Sequence, residues 1–89
     1  MPVVVHLPGP LTSLAGGQAR LVLAGPRTVG EALRALPPGV RDRVMDEQGR
    51  VRPHVNVFVG SESIRETGGL GTALNGDADL HIIAAVSGG

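Results

Sequence analysis

An α+β fold, a mixed sheet of four to five strands packed on one main helix, is predicted by three features of this sequence. Runs rich in β-branched and aliphatic residues occur at Val3–Leu7, Ala19–Ala24, His54–Val59 and Leu80–Val86, each bounded by Gly, Pro or Asn-Gly breaks. Between the second and third, the stretch from Thr28 to Leu36 changes to helical spacing. The whole chain has 89 residues, enough for one domain over 1–89 and too few for a second core.

The first run reads as a strand stopped by Pro8-Gly9-Pro10. Alternation buries Val3, Val5 and Leu7 and turns Val4 and His6 outward. Gly16-Gly17 marks a turn, so the second run should form a hairpin with the first through a long connection. Gly25-Pro26 then breaks the strand. Thr28 is a good helix N-cap, and Glu31 three residues later completes a capping box. Val29, Ala32, Leu33 and Leu36 follow at helical spacing until Pro37-Pro38-Gly39 ends the run. Val40 to Met45 reads as one further helical turn, with Val40 and Val44 inward.

Asp46 to Gly49 is a turn. In His54–Val59 the residues Val55, Val57 and Val59 share one face, and His54, Asn56 and Phe58 the other. Residues 60–79 are polar and Gly-rich, anchored by Ile64, Leu70 and Leu74, with a short strand expected at Ser63-Ile64-Arg65 and a turn at Asn75-Gly76-Asp77. A final strand runs from Leu80 to Val86, and 87–89 leave it as a flexible tail. A hairpin, a crossover helix and a second strand pair make the β-grasp arrangement, one of few layer solutions at this size.

Composition limits the function. A chain of this length buries about 60–65% of its unfolded surface, and its interior must be aliphatic because Phe58 is the only aromatic residue. The eight cationic residues are all arginines, scattered from Arg20 to Arg65 at zero formal net charge, which argues against nucleic-acid or anionic-membrane partners. The N-terminus has no basic segment and no apolar run reaches spanning length, so a cytoplasmic protein is expected. Cysteine is absent, which removes disulfides, thiolate metal sites and thiol catalysis together.

The strand order, with Gly88-Gly89 at the end of the chain, resembles the MoaD/ThiS family of sulfur carriers, which are relatives of ubiquitin. The resemblance covers essentially the whole chain. Its most specific portion is Val55-Asn56-Val57-Phe58-Val59, Ile64-Arg65, Gly68-Gly69-Leu70, Gly76-Asp77 and Ile82 through Val86-Ser87-Gly88-Gly89. Within the family it is most similar to the carriers that supply sulfur for cysteine biosynthesis in actinobacteria. The ending is equally at home in the small subunit of molybdopterin synthase.

The resemblance implies a protein co-substrate and not an enzyme. It would bind no cofactor itself, and ATP would be used by the ubiquitin-activating-type adenylyltransferase that activates Gly89. A persulfide donor would then convert Gly89 to a thiocarboxylate. The sulfur-accepting enzyme would be a pyridoxal-phosphate cysteine synthase, with a zinc protease trimming the product, or the large subunit of molybdopterin synthase. A protein modifier that forms isopeptide bonds with lysines, and a plain interaction domain, are the alternatives.

The residues agree with tail chemistry. A carboxylate becomes electrophilic only when its oxygen is made a good leaving group, which adenylation does. Glycine adds no bulk and reaches backbone angles closed to other residues, so Gly88 and Gly89 can thread a covered site. At roughly 3.3–3.6 Å per residue, Ser87 to Gly89 can project about 10 Å. The pair alone is a weak signal, since average glycine usage puts it at the end of about one chain in 200.

A carrier also needs a docking face. With the first and third strands flanking the last, Phe58, His81 and Ile83 would lie together on the open side, and Val86 and Ser87 at the exit of the strand would join them as partner contacts. Single exposed apolar residues are ordinary, so it is the grouping that matters. His6 and His81 should be neighbours on parallel strands with His54 toward the other end, an arrangement without convergent metal ligands. Arg65 would meet an acidic partner or pair with Glu62, Glu66 or Asp77.

Overall fold

The computed structural model of the chain describes residues 2–84. The strands are β1 (Pro2–His6), β2 (Arg20–Ala24), β3 (Val55–Val59), β4 (Glu62–Ser63) and β5 (Ala78–Ala84), and they form one mixed sheet in the order β2-β1-β5-β3-β4. β1 lies antiparallel to β2 and parallel to β5, and β5 lies antiparallel to β3. This is the β-grasp arrangement read from the sequence, with the last strand between the first and the third. The expected continuation of that strand to Val86, and the tail after it, lie outside the described residues.

Helices cover one side of the sheet. α1 (Gly9–Thr12) and a 3₁₀ turn at Ser13–Ala15 occupy the connection between β1 and β2, where the sequence predicts only a long connection with a turn at Gly16-Gly17. Proline at the start supplies a preset φ where an N–H would be unpaired, and Leu11 and Ala15 are buried, so this segment covers one end of the core. Gly16 ends it at φ 68°, a left-handed conformation that a side chain would disfavour.

α2 (Val29–Arg34) begins at the predicted cap. Thr28 Oγ1 accepts the Glu31 N–H at 3.1 Å. The Glu31 carboxylate reaches one residue further back than a standard capping box and accepts the Arg27 N–H at 3.0 Å. The first bond satisfies a donor that a helix start leaves orphaned, and the second fixes the backbone of the residue before the cap. Gly30 faces the 3₁₀ turn Gly69–Gly71, and a Cβ there would come within 3.2 Å of the Leu70 carbonyl oxygen, so a larger residue would have to push that turn back by a few tenths of an ångström.

Pro37-Pro38-Gly39 was expected only to end this helix. It also starts the next one, because proline is well suited to a first helical turn. α3 (Pro38–Val44) is therefore a full helix and not a single turn, and the sheet packs on two helices of similar length. Val40 and Val44 point inward as predicted, both with no exposed surface.

The core joins Val3, Val5 and Leu7 of the first run, Val55 and Val57 of β3, and Leu80 and Ile82 of β5 to Val29, Leu33, Leu36, Val40 and Val44 from the helical side. No polar or charged residue among the described ones is buried, so this interior is held by apolar burial and dispersion alone.

The short strand expected at Ser63-Ile64-Arg65 is instead β4, Glu62–Ser63, followed by α4 (Ile64–Thr67). Ser63 Oγ accepts the Arg65 N–H and starts a helical turn that buries Ile64. Arg65 is exposed and is not paired with Glu62, Glu66 or Asp77. Its Nη2 donates to the carbonyls of Pro53 and Val55, at 3.1 Å each, and ties α4 to the start of β3.

The predicted Asp46–Gly49 turn is built on one carboxylate. Asp46 Oδ1 accepts the N–H groups of Gln48 and Arg50, at 2.9 Å each. The hydrogen bond from the Arg50 backbone, opposed by partial desolvation and helped by that from Gln48, holds the Asp46 carboxyl below its ordinary value of 3.8.

Two measurements check this account. Leu33→Ala should cost about 3 kcal/mol, read as a lower urea midpoint at unchanged slope, because the site is fully buried between α2 and the sheet. In a carboxyl NMR titration Asp46 should have its midpoint below 3.8. The stability linked to that lowered pKa is present above the unfolded value and is lost as pH falls through the folded one, so Asp46→Asn should remove this acid-dependent component.

Candidate functional site

The open side of the sheet is built by alternation along its three central strands. β5 turns Leu80 and Ile82 into the core, which sends Asp79, His81 and Ile83 outward. β1 contributes Val4 and His6 to the same side, and β3 contributes Asn56 and Phe58. Register then decides the neighbours. His81 stands opposite His6 on one flank and opposite Phe58 on the other, and Ile83 stands opposite Asn56.

Phe58, His81 and Ile83 thus lie together on the face away from the helices, with Phe58 and His81 half-buried and Ile83 51% exposed. They line a shallow trough of about 610 Å³ together with His6, Pro8 and Ser61. The trough is predominantly apolar.

The polar part of the face is a small cluster. The His6 and His81 rings stack with centroids 4.4 Å apart and planes 11° from parallel. Parallel strands in register hold the two rings one above the other. His6 Nε2 lies 2.8 Å from Asp79 Oδ1. A carboxylate can only accept, so the bond places a proton on His6 Nε2. Asp79 was missed in the sequence because the last strand was read from Leu80. The strand begins at Ala78, and extending the same alternation back by two residues would have found it.

His54 is exposed ahead of β3, in a groove with Asp42, Arg43 and Arg52, apart from the other two histidines. Among the described residues no group of three His, Cys, Asp or Glu side chains could hold a metal ion. No helix among them is long and apolar enough to cross a membrane.

The trough extends to Ala84, the last described residue, which pairs with Val55 at the start of β3. The face therefore follows β5 toward the C-terminal side. Gly88, Gly89, Val86 and Ser87, the remaining expected site residues, lie outside the described residues.

The His6–Asp79 pair is solvent-accessible, with side chains 30% and 60% exposed. A double-mutant cycle on His6→Ala and Asp79→Ala should give a coupling of about 0–1 kcal/mol that shrinks with added salt. The pair shapes the face more than it stabilises the fold.

Comparison with known proteins places this architecture. The sulfur carrier protein CysO of Mycobacterium tuberculosis is 34% identical over 94 aligned residues that cover all of both chains. Its crystal structure superposes with a TM-score of 0.84 at 32% identity, over 94% of this chain and 99% of that one. The Amycolatopsis orientalis BexX/CysO complex contains a similar chain, at TM-score 0.82, 30% identity and 98% and 99% coverage. SAMP1 of the archaeon Haloferax volcanii matches over 100% of both chains, with a TM-score of 0.83 and 28% identity. The model of the ThiS family matches residues 5–89. A β-grasp, ubiquitin-like chain matched over nearly its full length in this way belongs to the ThiS family.

Proposed function

We propose that this chain is a sulfur carrier that works through the carboxylate of Gly89, with cysteine biosynthesis as the favoured destination. The observation that carries the reading is the pairing with sulfur carrier protein CysO over the whole of both chains, together with a family match that runs through Gly89.

The chemistry requires a partner at each step. A ubiquitin-activating-type adenylyltransferase joins the Gly89 carboxylate to the α-phosphate of ATP and releases pyrophosphate. A persulfide sulfur then attacks the activated carbonyl and AMP leaves. A second thiol on the donor cleaves the new S–S bond, which leaves a thiocarboxylate on Gly89 and a disulfide on the donor. The chain has no cysteine, so the terminal sulfur is the nucleophile delivered to the accepting enzyme. The protein is a co-substrate in this scheme, and its use of ATP-dependent activation suits the cytoplasm.

The open face supplies the docking surface in this proposal. Phe58, His81 and Ile83 meet a partner beside the strand that leads to the tail, with Val86 and Ser87 continuing the contact and Gly88 entering the partner's site. That a CysO chain of this fold exists in complex with BexX supports a partner-docked carrier. A cysteine synthase is the first candidate acceptor and the large subunit of molybdopterin synthase the second. Protein modification is kept as a second reading because the small archaeal modifier protein SAMP1 matches over the full length.

Intact mass after incubation with ATP, the activating enzyme and a sulfur source distinguishes these. Exchange of one oxygen for sulfur at Gly89 supports the carrier, and higher-mass conjugates on lysines support the modifier. Unchanged mass with a verified active enzyme would sink both. Deletion of Gly89 should abolish loading without lowering thermal stability. Ile83→Asp, at a half-exposed site outside the core, should weaken binding to the activating enzyme by at least about tenfold, as expected of a contact worth more than 1.4 kcal/mol.

A further inference from the structure

The most exposed large apolar side chain among the described residues is Val22, at 69%, in the middle of β2, where it stands opposite Val4 on the open side of the sheet, two strands from β5. β2 is also an edge of the sheet, paired on one side only. The register shows what that edge presents. Leu7 N–H donates to the Ala19 carbonyl at 2.8 Å, and continuing this pairing puts Val5 with Leu21 and Val3 with Leu23 as hydrogen-bonded pairs. The intervening residues Arg20, Val22 and Ala24 therefore turn their N–H and C=O groups away from β1, to the open edge. Pro2, opposite Ala24, fits this parity because it has no N–H to give.

The edge is also self-complementary. Leu21-Val22-Leu23 reads the same in both directions. A two-fold axis through Val22, perpendicular to the sheet, would set Val22 against its own copy, Arg20 against Ala24 and Leu21 against Leu23. Each pair among Arg20, Val22 and Ala24 would exchange two backbone hydrogen bonds, and no proline interrupts them. The two Arg20 side chains would stand four residues apart along the strand, about 13 Å, which exceeds the screening length of about 8 Å at physiological salt. Leu21 and Leu23, half-buried on the helix side, would gain cover from each other.

We propose that β2 is a homodimerisation edge, on which a second copy of this chain adds antiparallel through Arg20–Ala24 to join the two sheets. An isologous contact of this kind closes on itself. The opposite edge does not extend it into a filament, because β4 is only two residues long and carries Glu62. β5 runs antiparallel to β2, so the two copies of Ala84 would point toward opposite ends of the joined sheet, and each open face would keep its own Phe58 and Ile83. The interface is small, so the dimer is weak and concentration-dependent.

A dilution series of the full chain from about 1 mM, the weak end of specific affinities, tests this by sedimentation and amide NMR. Tumbling should slow with concentration by up to about twofold, the mass ratio of dimer to monomer. The amide shifts of Arg20, Val22 and Ala24 should move with it, and those of Leu21 and Leu23, already bonded to β1, should move less. Val22→Lys puts like charges on the two-fold axis and should keep the chain monomeric with an unchanged melting curve, while Val22→Thr should still associate. Constant tumbling and shifts across the series would overturn the proposal. So would association that persists in Val22→Lys or leaves the Arg20, Val22 and Ala24 amides unmoved.

Discussion

The rest of the structure depends on the parallel pairing of β1 with β5. It joins Val3 to Ala78 and His6 to His81, residues from opposite ends of the chain. Everything between them, the hairpin partner, both helices and β3, is thereby enclosed in one sheet-and-helix sandwich. Parallel pairing is slow to form because the intervening loop must close first. Its reward is that Val3, Val5, Leu80 and Ile82 face α2 and α3 together as one apolar surface.

That pairing also creates the open face. The same alternation that buries Leu80 and Ile82 exposes His81 and Ile83, and the same register that aligns the strands stacks His6 on His81. The open face is thus the obligatory reverse of the core. A substitution on one side of β5 changes packing, and one on the other side changes only what the protein shows to a partner. The sole aromatic residue, Phe58, is on the second side. An interior made entirely of Val, Leu, Ile, Ala and Met leaves the aromatic side chain available for recognition.

Around this frame the chain uses local hydrogen bonds to place segments that have little core of their own. Thr28 and Glu31 start α2, Asp46 closes the turn after α3, and Arg65 fastens α4 to the backbone of β3. None of these is buried. They fix where connections run, while the apolar interior supplies the stability. The two flanks of the sheet differ, with β4 only two residues long and β2 self-complementary along Leu21-Val22-Leu23.

The strands, the capped helix and the inward valines were legible in the sequence because each follows from local periodicity or a short-range hydrogen bond, and the grouping of Phe58, His81 and Ile83 followed once the β-grasp order set which strands are neighbours. The family resemblance was legible for the same reason, in motifs that carry turns and strand ends. Long-range packing settled the other features. Pro38 could end a helix or start one, and packing of Val40 and Val44 selected the start. Ile64 could extend a strand or turn into the core, and burial under β3 selected the turn. Arg65 could pair with Glu62, Glu66 or Asp77, yet its Nη2 bonds two carbonyls brought close by the fold. Asp79 joined the face only because pairing with β1 drew the last strand back to Ala78. In each case the residue permits two outcomes of similar local energy, and contacts distant in sequence choose between them.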